Sequence, residues 1–165
     1  MTTSRQVGIV GVGLMGHGIA SSLLRAGHQV FFLEHPGNQP VDDLVAAGAT
    51  ALNSGREVAQ RAEVVILCVT GSPQVEAVLF EPNGVLEGLT PGSVVVDCST
   101  ALPSSTEKVA ARVTEAGGRF MDAAMTRTPK EAEEGRLNLI VGAPKALFDE
   151  TLPLLEGFAE NIAHA

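Results

Sequence analysis

The run Gly11-Val12-Gly13-Leu14-Met15-Gly16 constrains this chain more than any other stretch, because a strand-like segment (6–10) precedes it and a helix-like segment (15–26) follows it. Three glycines at that spacing suit a strand-to-helix turn. Gly11 makes the tight turn, Gly13 lets the backbone approach a pyrophosphate, and Gly16 lets the helix lie against the sheet. The helix start, with Leu14 and Met15, offers free N–H groups and a local positive potential to an anion. On its own the pattern is weak, but here the strand, the helix and an acidic residue, Glu34, at the end of the next strand all agree. Glu34 falls near the offset of about 20 residues at which a carboxylate accepts hydrogen bonds from adenosine ribose hydroxyls. It would repel a 2′-phosphate, and His35-Pro36-Gly37 follows it with no arginine. The expected cofactor is therefore NAD rather than NADP.

The remaining apolar runs, at 29–33, 64–69, 93–97, 119–122 and 138–141, have strand length and alternate with helical patterns at 55–60, 74–80, 104–116 and 145–155. Most are continuous Val/Ile/Leu runs, which fit strands buried on both faces. The expected fold is α/β: a Rossmann-type, doubly wound, mostly parallel sheet in three layers. Segments 81–84 and 126–135 read as loops, and 161–165 as a short terminal strand. At 165 residues the chain has the length of one domain.

A net charge of -8 argues against nucleic acid or an anionic membrane as a partner. Cys68 and Cys98 lie in apolar runs without metal spacing and read as reduced core residues of a cytoplasmic protein. Residues 7–19 are apolar but punctuated by glycines and lack a cleavage pattern, so neither a signal peptide nor a membrane span is expected. His17, His28, His35 and His164 are scattered, and none is given a metal or a catalytic role.

From Gly11 through His17-Gly18-Ile19-Ala20 to Gly27-His28, the residues resemble the opening of the β-hydroxyacid dehydrogenases, the family of 3-hydroxyisobutyrate dehydrogenase and the cofactor domain of 6-phosphogluconate dehydrogenase. The resemblance continues through 64–69, Asp97-Cys98-Ser99-Thr100 with Pro103, Asp122-Ala123-Ala124, Gly135 and Val141-Gly142. It implies that Val69, Thr70 and Thr100 line the dinucleotide, and that Ser99 and Thr100 grip the substrate's carboxylate or hydroxyl beside the nicotinamide. The alternative for Ser99-Thr100 is a turn or helix cap before Pro103. The substrate loop departs from the family's Asp-Ala-Pro-Val-Ser-Gly-Gly and reads Asp122-Ala123-Ala124-Met125-Thr126-Arg127-Thr128. Thr126 keeps a hydroxyl, while Arg127 replaces a glycine with a guanidinium able to hold an oxyanion in bidentate fashion. In this the loop resembles that of sulfolactaldehyde reductase, whose arginine meets a sulfonate. A small anionic hydroxy acid or semialdehyde is the implied substrate. The alternative for Arg127 is a surface pair with Glu131, Glu133 or Glu134.

The resemblance also places the general acid/base, a lysine in a Gly-x-Gly-x-x-x-Lys-x-x-x-Asn setting, on a second, all-helical domain. Lys108, Lys130 and Lys145 sit in no such setting, so no catalytic residue is assigned. The expectation is one dinucleotide-binding domain over 1–165, with the helical domain beyond Ala165. Such a chain binds cofactor but lacks the proton donor, worth about a hundred- to ten-thousandfold in rate. The full-length protein is expected to be a homo-oligomer. Two other readings stand beside this one: a 3-hydroxyacyl-CoA dehydrogenase domain, which opens on a similar loop, and an NAD-binding or sensing module without chemistry.

Overall fold

The computed structural model describes residues 4–165. Its first half runs β1 (Gln6–Val10), α1 (Leu14–Arg25), β2 (Gln29–Leu33), α2 (Asp42–Ala46), β3 (Thr50–Leu52), α3 (Gly55–Arg61), β4 (Val64–Leu67) and α4 (Ser72–Phe80). The second half runs α5 (Val85–Gly88), β5 (Val94–Asp97), α6 (Pro103–Glu115), β6 (Arg119–Thr126), α7 (Pro129–Glu134), β7 (Leu137–Gly142), α8 (Lys145–Leu155) and β8 (Ala159–His164). One eight-stranded sheet has the order β3-β2-β1-β4-β5-β6-β7-β8. Every pairing is parallel except β6 with β7.

The continuous apolar runs explain the three layers. Successive strand side chains point to opposite faces, so Val64 and Ile66 of β4 join Ile19, Leu23, Phe148 and Leu155 on one side. Val65 and Leu67 join Val58, Leu79, Val109 and Val113 on the other. All four β4 residues are buried, and one sheet thus supports helices on both faces, as expected.

The shortest elements escape the sequence reading. β3 has three residues, two of them exposed; α2 has five and α5 four, too few to show a period. Segment 126–135, expected as a loop, instead contains the end of β6 and the helix α7. A capping box starts that helix, with the Thr128 N–H donating to Glu131 Oε1 at 3.0 Å. Its sequence Pro-Lys-Glu-Ala-Glu-Glu buries only Ala132, so no apolar stripe marks it. The terminal strand begins at Ala159 rather than at 161.

His28 sits at the opposite end of the sheet from the loops that follow the strands. It is 4% exposed, and its Nδ1 accepts the Arg5 N–H at 3.0 Å while Nε2 has no partner among the described residues. Burial, with the Arg5 charge beside it, holds its pKa below the ordinary 6.5. The unfolded chain then takes up a proton that the folded chain refuses. This contribution to stability is complete above about pH 6.5 and falls as pH drops below it. Urea unfolding between pH 5 and 7 is expected to show this loss in the wild type and a flatter profile in His28→Gln, which keeps an acceptor for Arg5. An unchanged slope would remove His28 from the explanation.

Candidate functional site

A cleft of about 1240 Å³ opens where the sheet order reverses, between the C-terminal ends of β1 and β4. Ligands of open α/β sheets sit at this switch point. The glycine-rich loop forms its floor. Gly11 has φ +102°, and a Cβ there would lie 2.2 Å from the Cys68 carbonyl oxygen. A Cβ on Gly16 would lie 1.9 Å from the Gly11 carbonyl oxygen. Both glycines are therefore required by the fold itself. Gly13 differs: a Cβ there would meet nothing within 4 Å, because that face looks into open cleft.

Gly13 is also the N-cap of α1, without a side-chain cap and with no acidic residue in the first turn. In contrast, Ser54 caps α3 by accepting the Glu57 N–H at 3.1 Å. The start of α1 lines the cleft and, among the described residues, no side chain caps its first N–H groups, the arrangement that holds a phosphate. The donor set fits a dinucleotide's pyrophosphate.

At the next strand end, Glu34 is exposed and its N–H donates to the Leu52 carbonyl at 2.8 Å. Its neighbours Leu33 and His35 line the cleft, while Glu34 itself stands at the rim, outside the lining. Across the floor, the Val69 N–H donates to Ser99 Oγ at 2.9 Å, and the Ser99 N–H donates to Asp97 Oδ1 at 2.9 Å. The Leu102 N–H donates to Ser72 Oγ at 2.8 Å, so the loops after β4 and β5 are tied twice. Val69, Thr70, Ser99 and Thr100 all line the cleft. Ser99 lies outside α6, whose N-cap is Leu102, so neither Ser99 nor Thr100 caps that helix; Ser99 sits in a bend, its N–H donating to Asp97.

Asp97 and Asp122 are register partners on β5 and β6, and both line the cleft. Asp97 is 3% exposed, and its burial pushes the carboxyl above the usual carboxylate range against the hydrogen bonds from Ser99, with the Asp122 charge adding to the rise. Burial likewise pushes the Cys68 thiol up to about 12 and the Cys98 thiol well above its ordinary value. Both thiols are thereby held in the protonated, weakly nucleophilic form. The sequence alone assigns Asp97 and His35 no site role; their only signal is position, Asp97 directly after the last apolar residue of β5 and His35 two residues after that of β2.

Arg127 lines the cleft and adopts φ +87°, a left-handed conformation that favours glycine. Its Nη1 donates to the Glu160 carboxylate at 2.5 Å and to the Arg136 carbonyl at 2.7 Å. The anticipated partners Glu131, Glu133 and Glu134 are not used: β8 brings Glu160 closer, a pairing across the sheet that no local spacing reveals. Thr126 is exposed and is not part of the cleft wall. It shares a face of β6 with Ala124, which does line the cleft, and so lies one step beyond it.

Behind the floor, α1 and α7 are joined. The Ser22 hydroxyl donates to the Ala132 carbonyl at 2.8 Å, and His17 bridges Glu133 of α7 and Asp43 of α2. Burial opposes charge on His17, but its hydrogen bonds to Asp43 and Glu133 leave its pKa raised. Lys108 pairs with Glu76 at 2.7 Å and Lys145 with Asp149 at 3.1 Å, and neither lysine lines the cleft. Among the described residues, no group of three or more His, Cys, Asp or Glu could hold a metal ion, and no helix is long and apolar enough to cross a membrane.

Residues 6–165 match the family described as the NAD binding domain of 6-phosphogluconate dehydrogenase. The chain is 36% identical over 157 residues to the 2-hydroxy-3-oxopropionate reductase of Escherichia coli, covering 95% of this chain and 53% of that protein. It is 37% identical over 163 residues to the NAD-dependent L-serine dehydrogenase of Pseudomonas aeruginosa, covering 98% and 54%. The 3-hydroxyisobutyrate dehydrogenase of Mycobacterium tuberculosis, solved with L-serine, superposes with a TM-score of 0.90 at 25% identity, over 98% of this chain and 54% of that one. The chain spans about half the length of the curated relatives it matches.

Proposed function

The chain belongs to the family of NAD-binding domains described for 6-phosphogluconate dehydrogenase, and on that premise we propose that it is the cofactor-binding part of a β-hydroxyacid dehydrogenase that uses NAD. The observation that carries this reading is the uncapped start of α1 behind an open Gly13. Its N–H groups hold the pyrophosphate, Glu34 accepts from the adenosine ribose, and Val69, Thr70 and Thr100 flank the dinucleotide toward the nicotinamide. When bound, the cofactor supplies the hydride acceptor or donor. The protein's task is to hold the substrate's reacting carbon against it.

Ser99 and Thr100 orient the carboxylate or hydroxyl of a small hydroxy acid or its semialdehyde, and Arg127, with Thr126 one step beyond the cleft wall, takes its anionic end. The ties from Val69 and Asp97 that fix Ser99 support this role, as does the position of Arg127 at the cleft wall. The proton-transferring lysine belongs to a helical domain outside these residues. These 165 residues alone therefore bind NAD but do not turn over substrate, and the complete protein is a cytoplasmic homo-oligomer. The relatives' small substrates favour a hydroxy acid over an acyl-CoA ester.

Nicotinamide fluorescence tests the cofactor assignment. NADH is expected to bind more tightly than NADPH, and Glu34→Ala to weaken NADH by about tenfold, the loss of a hydrogen bond to a charged group. Tighter binding of NADPH by the wild type would refute the role of Glu34.

A further inference from the structure

We propose that His35 donates a hydrogen bond to the adenosine ribose 2′-hydroxyl of the bound dinucleotide, making it a second ribose-binding residue beside Glu34; this rests on the NAD reading above. With the pyrophosphate at the start of α1, the adenosine ribose lies toward the end of β2. Of the two residues that follow this strand, His35 lines the cleft and Glu34 does not.

His35 is also the first residue of a built turn. The Asn38 N–H donates to the His35 carbonyl at 3.0 Å, with Pro36 at the turn's second position. The Asn38 side chain donates to the Leu33 carbonyl at 3.0 Å, and the Gln39 N–H donates to the Val12 carbonyl at 2.8 Å, fastening the turn to β2 and to the glycine-rich loop. Inside this turn the Gly37 N–H donates to His35 Nδ1 at 2.9 Å.

That last bond fixes the ring. A neutral imidazole that accepts at Nδ1 carries its proton at Nε2, and Nε2 has no partner among the described residues. His35 thus presents a donor at the cleft wall while Glu34 presents an acceptor at the rim. A ribose 2′-hydroxyl both donates and accepts, so it satisfies the two together: it donates to the Glu34 carboxylate and accepts from His35 Nε2–H. Such a hydroxyl is chosen by complementarity, with little ordering cost, because the turn is already formed.

The test compares calorimetric titrations of the chain with NADH and with NADH lacking the adenosine 2′-hydroxyl, for the wild type, His35→Ala and His35→Asn. Asparagine at a turn start can accept the Gly37 N–H and keep the turn, but it is too short to replace the Nε2 donor. The wild type is expected to prefer NADH by about tenfold or more, and both variants to lower that preference by about threefold to tenfold, one hydrogen bond's worth. If the preference is unchanged in both variants, His35 does not touch the hydroxyl and the proposal fails. If it falls in His35→Ala alone, His35 acts only through the turn, and the proposal fails equally. A wild-type chain that binds neither ligand overturns the NAD reading itself, and this inference with it.

Discussion

Replacing Gly13 by valine is expected to weaken NADH binding by about a hundredfold while changing the stability of the chain by no more than about 1 kcal/mol. The two effects separate because of where a side chain at this position would go. Its Cβ meets no protein atom within 4 Å, and the residue's φ of -81° is open to any amino acid. The fold therefore tolerates the substitution, apart from a modest loss of N-cap quality. The pyrophosphate does not, because the isopropyl group fills the space through which it reaches the N–H groups of α1. Losing two hydrogen bonds to a charged group, at about 1.5 kcal/mol each or more, amounts to about a hundredfold. NADPH should suffer equally, since both cofactors share the pyrophosphate. Nicotinamide fluorescence and thermal unfolding of the same variant check the two halves of this expectation. Undiminished binding would mean that the loop does not face the ligand.

Three residues along, Gly16→Ala should behave in the opposite way. Here the added methyl would lie 1.9 Å from the Gly11 carbonyl oxygen, a backbone atom that no rotamer change can move aside. Relief requires α1 to shift away from the β1–α1 turn, and α1 carries Ile19, Leu23 and Ala20, all fully buried. The cost is about 3 kcal/mol, at the upper end for an overpacked core. For a domain of this size that is a fall of roughly 10 °C in the unfolding midpoint. Cofactor binding falls as well, because the N–H groups move with the helix. A variant with wild-type stability would show that the turn is looser than the Gly11–Gly16 approach implies. Together the two substitutions divide the motif into a part that the fold needs and a part that only the ligand needs.

This division is partly legible in the amino-acid sequence. The pattern assigns each glycine a job, and β1 and α1 fall where the motif requires them because each rests on local chemistry, an apolar run and a turn; Glu34 follows β2 directly but stands outside the cleft lining. The three-layer sheet follows for the same reason, since a run such as Val64-Val65-Ile66-Leu67 can be satisfied only by helices on both faces. The features that the sequence hides are either too short to carry a period or dependent on residues far away in the chain. The helix α7 buries one apolar side chain and is held by its capping box and by α1. Arg127 finds Glu160 only because β7 runs antiparallel to β6 and β8 lies beyond it. His35 reaches the cleft wall in a turn whose bonds extend back to Leu33 and Val12, contacts that the tripeptide His-Pro-Gly does not announce.

The central claim is that the start of α1 and the loops at the ends of β2, β4 and β5 form one dinucleotide site. Amide proton–nitrogen NMR spectra of the chain, recorded during titration with NADH, address it residue by residue. The predicted result is saturable shifts concentrated at Gly11 to Gly16, His35, Val69, Thr70, Ser99 and Thr100, with the amides of α8 and β8 unmoved. No saturable shift, or shifts confined to residues away from the cleft, would contradict it.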